Sequence, residues 1–117
     1  MGISRFTNFD QDFTQDLSAG ALSFTTTTTG GKKFHLDQVV IHFSTAVTET
    51  ITITVDSLKG ANYDTVLISC PFASETDFVY RPEGDAIFNA GDEIKVQCTN
   101  DGAVGIAYGN VKTSEVS

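Results

Sequence analysis

Residues 48–57, TETITITVDS, alternate between apolar and polar side chains. Ile51, Ile53 and Val55 fall on one face of an extended chain and the threonines between them fall on the other, because successive side chains of a strand point to opposite faces. Threonine is β-branched and suits a pleated surface. The segment therefore predicts a strand with one face in a core and the other in water.

The same period of two recurs in the C-terminal half. In EIKVQCT, residues 93–99, Ile94, Val96 and Cys98 share a face that we predict to be buried. Cys70 ends a similar alternation, so both cysteines are expected to face the core as free thiols. A bond between them requires Cα atoms about 4.4–6.8 Å apart, which leaves the pairing open at this stage.

AVGIAYG, residues 103–109, also alternates, and we predict its larger side chains to point inward. The other face consists only of alanine and glycine, and glycine weakens a strand unless another backbone approaches closely. We therefore expect a close neighbour on this bare face. The predicted inward residues are Val104, Ile106 and Tyr108, and the bare face is Ala103, Gly105, Ala107 and Gly109.

The segment KKFHLDQVVIHFS, residues 32–44, changes parity in its middle: Phe34 and Leu36 share one parity, whereas the apolar residues from Val39 onward share the other. A strand keeps both groups on its buried face only if it contains an extra residue, so we predict a bulge or bend near Asp37 and Gln38. The two histidines, His35 and His42, lie off the core face, are seven residues apart and have no third ligand, so they are interpreted as surface residues.

Glycine, proline, asparagine and aspartate separate these runs at short intervals. The result is about eight short strands, centred near residues 23, 39, 52, 66, 78, 87, 96 and 106. Their number and spacing predict an all-β fold, a single-domain β-sandwich or jelly roll of antiparallel strands, over residues 21–117.

Residues 1–20 differ in pattern from the rest. Phe6, Phe9, Phe13 and Leu17 recur at spacings of three, four and four, which gives an apolar stripe on a helix. We therefore predict an N-terminal arm or a short amphipathic helix. Two interpretations stay open: the segment packs on its own domain, or its aromatic residues reach a neighbouring subunit.

Composition excludes several classes of partner. Fifteen acidic residues against seven basic ones give a net charge of −8, which disfavours nucleic acid and anionic lipid. No apolar run approaches the ~18 residues of a membrane span, so no membrane association is expected. The N-terminal residues contain acids where a signal peptide has an apolar core, and we expect synthesis in the cytoplasm without one.

No catalytic, cofactor or metal motif is recognisable. The histidines are not placed beside a nucleophile, and neither a GxSxG elbow nor a phosphate-binding loop is present. Loop carboxylates suggest calcium as one alternative, but their spacing lacks the EF-hand pattern and turns explain each of them. We predict no enzyme, no cofactor and no metal. The carboxylates considered for calcium are Asp85, Asp92, Glu93 and Asp101.

An exposed aromatic residue is the usual platform for sugar on folds of this kind. The chain has no tryptophan and three tyrosines, of which Tyr80 and Tyr108 have core parity. Tyr63, in the loop KGANYDT, is therefore the one candidate for a surface-binding residue.

The order of segments over residues 33–110 resembles small all-β virion proteins of tailed bacteriophages. The resemblance rests on an alternating strand leading to the loop from Gly60 to Tyr63, a PEGD turn at residues 82–85, AGDEIKV at residues 90–96 and a closing strand of small residues. It implies a non-enzymatic structural protein of the virion, most like a capsid decoration or cement protein that contacts the major capsid protein.

The resemblance further implies a homo-oligomer, such as a trimer, on the capsid surface. The candidate subunit or capsid contacts are Phe6, Phe9, Phe13, Leu17, Gly105 and Ala107. Two alternatives remain: a tail, neck or fibre component of the phage, and a carbohydrate-binding or adhesion module that uses Tyr63.

Overall fold

The computed structural model describes residues 8–26, 32–82, 87–100 and 102–115. Within these residues the chain forms nine strands and one turn of 3-10 helix at Ala61–Tyr63, and no α-helix. The strands are β1 (Asn8–Asp16), β2 (Leu22–Thr25), β3 (Phe34–Val47), β4 (Thr50–Asp56), β5 (Thr65–Pro71), β6 (Glu75–Tyr80), β7 (Ile87–Phe88), β8 (Glu93–Cys98) and β9 (Ile106–Glu115).

Two antiparallel sheets face each other. The first has the order β1-β9-β3-β6, with the short β7 also paired to β3, and the second has the order β2-β8-β4-β5. The pairs β4–β5, β3–β6, β2–β8 and β1–β9 are nested in sequence and alternate between the two sheets. This is a long hairpin rolled around the core, which is the jelly-roll arrangement. The predicted fold class is confirmed, with nine strands where about eight were expected.

The core lies between the sheets and follows the predicted alternation closely. Ile51, Ile53 and Val55 of β4 are buried, and so are Ile94 and Val96 of β8. The same buried cluster contains Phe43 and Phe78 of the first sheet and Phe72 just after β5, and their rings meet at tilted or edge-on angles.

The predicted bulge in β3 is confirmed. Leu36 is paired with Thr113 of β9 and Gln38 with Lys112, so Asp37 is the extra residue. Because of it, Leu36 and Val39 are both buried although an odd number of positions separates them. The side chain of Asp37 stays on the outside and accepts a hydrogen bond from the Ser114 hydroxyl.

The prediction of a helix in the N-terminal segment is wrong for residues 8–16. They form β1, an edge strand that pairs with β9 from Asn8↔Ser114 to Asp16↔Ile106. Phe13 packs inward directly over Gly109, where an added Cβ would come within 1.9 Å of the ring. The ring also stacks on Phe24 of β2 at 4.8 Å, so β1 contacts its own domain through the core.

The prediction for the buried face of residues 103–109 is also wrong. Ala107 is fully buried, whereas Val104 is 54% exposed and Tyr108 47% exposed. Gly105 has a φ of 90°, a conformation that side chains rarely adopt, and it turns the chain immediately before β9 begins. The alternation therefore restarts at Ile106, and the small residues occupy the crowded inner face where Phe13 supplies the bulk.

Candidate binding surface

The two ends of the sandwich are built differently. The Leu17 end consists of the connections at residues 17–21, 48–49, 72–74 and 99–105, of which residue 101 lies outside the described residues. The Tyr63 end contains the connection at residues 57–64 and the turn at residues 89–92. Seven large apolar side chains are exposed among the described residues, and three of them, Leu58, Tyr63 and Ile87, lie at the second end.

Hydrogen bonds fix the loop of residues 57–64 in one conformation. The Ser57 N–H donates to the Asp64 carboxylate at 2.8 Å, and the Ser57 hydroxyl accepts from the Lys59 N–H at 3.1 Å. Gly60, at a φ of 119°, donates to the Ser57 carbonyl at 3.1 Å and accepts from the Tyr63 N–H at 3.0 Å. The loop is therefore folded by its own backbone, and Gly60 supplies the conformation that the turn requires.

Asp92 ties this loop to the β7–β8 turn. Its carboxylate is buried and accepts hydrogen bonds from the Leu58 N–H at 3.0 Å and the Asn89 N–H at 3.1 Å. A carboxylate that accepts from backbone N–H groups makes stronger bonds than a neutral acceptor. Asp92 thus holds two loops together, whereas the sequence interpretation gave it only a turn or solvation role.

The fixed loop holds apolar side chains in water. Leu58 is 73% exposed, Tyr63 is 61% exposed and Ile87 of β7 is 50% exposed. Tyr63 and Ile87 both line a cleft of about 250 Å³. The Lys59 ammonium lies 5.6 Å from the centre of the Tyr63 ring, within cation–π range. We call this set the Tyr63 surface; it consists of Leu58, Lys59, Tyr63, Ile87 and Phe88, and all but Leu58 line the cleft.

Tyr63 is therefore where the sequence predicts it, in an exposed loop, but Leu58 and Ile87 were missed. Leu58 lies in a turn and Ile87 in a strand of two residues, and neither segment is long enough to show a periodic pattern from which exposure could be predicted. Tyr108 was predicted to be buried and is exposed on the outer face of the first sheet instead.

The predicted contact residues lie in several places. Phe6 lies outside the described residues, and the backbone of Phe9 pairs with Thr113 in β1. Phe13, Leu17 and Ala107 are buried in the chain's own core. An added Cβ at Gly105 would come within 2.8 Å of both the Ser44 and the Thr45 hydroxyl oxygens, so its close neighbour is β3 of the same chain.

The cysteines and histidines do not form a reactive site. Cys70 and Cys98 are both opposite Ile51, one on each side of β4, so their Cα atoms are separated by two strand spacings, ~9.5 Å, and both thiols are free. Burial and the Glu49 carboxylate raise the pKa of Cys98 to about 11. The exposed His42 Nδ1 lies 2.7 Å from Asp77 and, together with the Thr76 hydroxyl, holds the pKa of that carboxyl below its usual range.

Of the four carboxylates considered for calcium, only Asp92 and Glu93 lie among the described residues. Asp85 and Asp101 lie outside the described residues, and Asp92 is engaged with backbone N–H groups. Among the described residues, no group of three or more histidine, cysteine or acidic side chains is arranged to hold a metal ion. Nor does that part of the chain contain a helix with the length and hydropathy of a membrane span.

The sequence matches no protein family profile and no curated protein. Among solved structures, the chain is similar to one from infectious bursal disease virus, Gx strain, with a TM-score of 0.50 and 12% identity over 97% of this chain. A chain from the Gt strain of the same virus aligns with a TM-score of 0.48 and 12% identity over 98% of this chain. This protein spans about a third of those viral chains, 32% and 34% of their lengths. The likeness to the first shows a common fold.

Proposed function

We propose that this protein is a structural component of a virus particle, and more specifically a capsid decoration or cement protein of a tailed bacteriophage. The observation that carries the proposal is the jelly roll itself, which aligns over 97% of the chain with a chain from a virus. The segment order of residues 33–110 supports the choice of a phage virion. Its location would be the outer surface of the capsid.

The chemistry of the described side chains favours a role in binding over catalysis. Cys98, with a pKa raised to about 11, is a protonated thiol at neutral pH and a poor nucleophile. The buried carboxylate Asp92 is engaged with backbone donors, and His42 is exposed beside Asp77. The Tyr63 surface, in contrast, is an exposed apolar patch on a loop that is ordered by its own hydrogen bonds, as is typical of a binding site.

The partner in this proposal is the major capsid protein, and the protein acts as a homo-oligomer such as a trimer. Because Phe13, Leu17 and Ala107 are buried in their own chain, a contact by the N-terminal segment would depend on residues before them. Phe6 and Phe9 are the two candidates. Deleting residues 1–7 leaves β1 in place and tests the part of Phe6 in assembly by light scattering, and Phe9→Ala in the full chain tests that of Phe9.

Binding to purified capsids tests the proposal directly. The protein is mixed with shells before and after expansion, the shells are sedimented, and the amount of bound protein is measured. We expect saturable binding at a fixed ratio to the major capsid protein, together with greater resistance of the shells to heat or chaotrope. Absence of binding at every expansion state would rule the proposal out.

Two alternative roles have distinct outcomes. A tail, neck or fibre component would be located by gold-labelled antibody on the tail and not on the capsid. A carbohydrate-binding module is favoured by one observation, the exposed Tyr63 ring beside the Lys59 ammonium. In that case the isolated domain would bind glycans, and Tyr63→Ala would abolish the binding.

A further inference from the structure

A second cleft lies on the outer face of the first sheet. Its volume is about 370 Å³, at the lower end of the range of about 300–1,000 Å³ that small-molecule sites occupy. The lining includes Asp12 and Thr14 of β1, Tyr108 and Asn110 of β9, and Val40 of β3. The described residues that line it include none of those that line the cleft of the Tyr63 surface, so the two clefts are separate.

Strand register brings the polar and aromatic side chains of this cleft together. Asp12 is opposite Asn110, and Thr14 is opposite Tyr108. All four side chains project from the outer face, because alternate residues of a strand share a face and Phe13, between the first two strand positions, points into the core. Side chains of paired residues lie about 5 Å apart and those of alternate residues about 7 Å apart, so the four enclose an area comparable to one sugar ring.

The carboxylate and the amide hold each other in place. Asn110 Nδ2 donates to Asp12 Oδ1 at 2.6 Å, and the second carboxylate oxygen has no donor among the described residues. The Oδ1 atom of Asn110 is buried and likewise has no donor in that part of the chain. A buried acceptor without a donor is destabilising, and a ligand hydroxyl is a group that supplies one. The cleft is therefore rich in acceptors for hydroxyl groups.

An apolar surface lies beside these acceptors. Tyr108 is 47% exposed, and Val40 is opposite Asn110 on the other side of β9. The hydroxyls of Tyr108 and Thr14 can each donate and accept. A sugar has the matching combination, since its ring carries C–H groups on its faces and hydroxyls, which also donate and accept, at its edge.

A cation fits this cleft less well than a neutral ligand. Among the described residues that line it, Asp12 alone is ionised, and it is exposed. Asn110 already occupies one of its oxygens, so a guanidinium cannot form the two parallel hydrogen bonds of an arginine–carboxylate pair. An ammonium would form an exposed ion pair, which contributes little to affinity. A ligand hydroxyl, in contrast, needs only the one oxygen that remains.

We propose that this cleft is a binding site for a neutral sugar ring. Tyr108 stacks on one face of the ring, and Asp12 and Asn110 accept hydrogen bonds from neighbouring hydroxyls, with Thr14 as a further hydrogen-bonding group. The site goes beyond the proposed function and does not rest on it. It also differs in position from the Tyr63 surface, to which the alternative carbohydrate-binding role was assigned.

Titration of the isotope-labelled full chain with free sugars tests the site. Glucose, galactose, mannose and N-acetylglucosamine are added separately, with arginine as a charged probe, and backbone amide shifts are followed by NMR. We expect at least one sugar to shift the amides of Asp12 and Asn110 saturably and without dependence on salt, because a neutral ligand is not screened. Tyr108→Ala and Asp12→Ala should raise the dissociation constant at least about tenfold, whereas Val79→Ala and Asp10→Ala, exposed on the same face, should change it less than about twofold.

The possible results separate this site from its competitors. The dispersed amide spectrum of each variant verifies that it is folded. If no sugar shifts the amides of the cleft, or if arginine alone does, the inference is wrong and the proposed function is unaffected. If Tyr63→Ala abolishes sugar binding and Tyr108→Ala leaves it intact, the sugar binds at the Tyr63 surface and the inference is likewise overturned.

Discussion

Leu17 and Leu58 both lie in connections between strands, at opposite ends of the sandwich, and they differ in the exposure of their side chains. Leu17 is 0% exposed, and its backbone is fixed by its own N–H to the Gly105 carbonyl at 2.9 Å and by the Asn100 amide to its carbonyl at 2.6 Å. Leu58 is also fixed through its backbone, by Asp92, but its side chain lies against Gly91 at the surface and stays 73% exposed. Fixing the backbone of a loop and burying its side chains are therefore separate properties: Leu17 has both, and Leu58 has the first without the second.

The Leu17 end is sealed by contacts between its connections. Buried Glu49 accepts a hydrogen bond from the Thr99 hydroxyl at 2.8 Å, and its carbonyl accepts from the Phe72 N–H at the same distance. Leu17, Glu49 and Phe72 of these connections are all buried. The hydrogen bonds of the Tyr63 loop leave Leu58 and Tyr63 exposed, and this contrast is the reason that we place the candidate contact surface at that end.

The largest expected effect is the difference between Leu17→Ala and Leu58→Ala in the free energy of unfolding. Leu17→Ala leaves a cavity in the core and should lower the free energy of unfolding by about 2–5 kcal/mol. Leu58→Ala removes an exposed side chain and should change it by no more than about 0.5 kcal/mol. Urea unfolding of both variants measures the difference, and equal losses would mean that Leu58 is part of the core after all.

Removing the Asp92 carboxylate tests whether it holds the backbone of the Tyr63 loop in place. Asp92→Ala leaves two backbone N–H groups without their acceptor and should cost about 2–3 kcal/mol, since hydrogen bonds to charged groups are the stronger class. Amide hydrogen exchange at Leu58 and Asn89 should accelerate by more than the loss of global stability explains. Exchange at Leu17 should accelerate only by the amount that this loss of global stability predicts. Asp92→Asn, which keeps one acceptor oxygen, should lie between the wild type and the alanine variant.

Alkaline pH tests the desolvated thiol near the Leu17 end. Cys98 has a pKa of about 11 in the folded chain, and an unfolded cysteine ionises near pH ~8.5, so folding loses stability as the pH rises between these values. The wild type should lose about 1–3 kcal/mol more than Cys98→Ala between pH 8 and 11. Identical pH dependence of the two proteins would show that Cys98 is not desolvated.

The smallest effect is expected at Asp16. The hydroxyl of Ser18, followed by its N–H, holds the pKa of this exposed carboxyl below its usual range. A lowered pKa gives stability that is present above the unfolded value of about 3.9 and is lost as the pH falls through the folded value. The urea midpoint of the wild type should exceed that of Asp16→Asn at pH 6, and the two should converge at pH 2. If the difference between the two urea midpoints does not change with pH, the stabilisation by Asp16 does not depend on the charge of its carboxylate.

Much of the fold follows from the sequence because a one-sided sheet imposes a period of two. The alternation at Ile51, Ile53 and Val55 locates β4, and the change of parity between Leu36 and Val39 locates the bulge. These predictions succeed because each depends only on neighbouring residues.

The errors have two causes: a competing local pattern in β1, and contacts between residues distant in sequence in β9 and at the Tyr63 surface. In β1 the spacing of the phenylalanines matches a helix, although Asp10, Asp12 and Asp16 already mark an exposed face with period two. In β9 the large Phe13 of another strand occupies the space above Gly109, so the small residues point inward. The Tyr63 surface depends in the same way on Asp92, which lies 34 positions from Leu58.

The nested pairing of strands has a consequence for synthesis on the ribosome. Within the described residues, β1 pairs only with β9, and their register joins Asn8 to Ser114. β1 leaves the exit tunnel before β9 and therefore waits for it before its backbone groups are satisfied, and Phe13 and Leu17 stay in water during that interval. Nascent chains that lack β9 should accordingly be the species that recruit chaperones or aggregate, and slow translation of residues 17–105 would prolong that exposure.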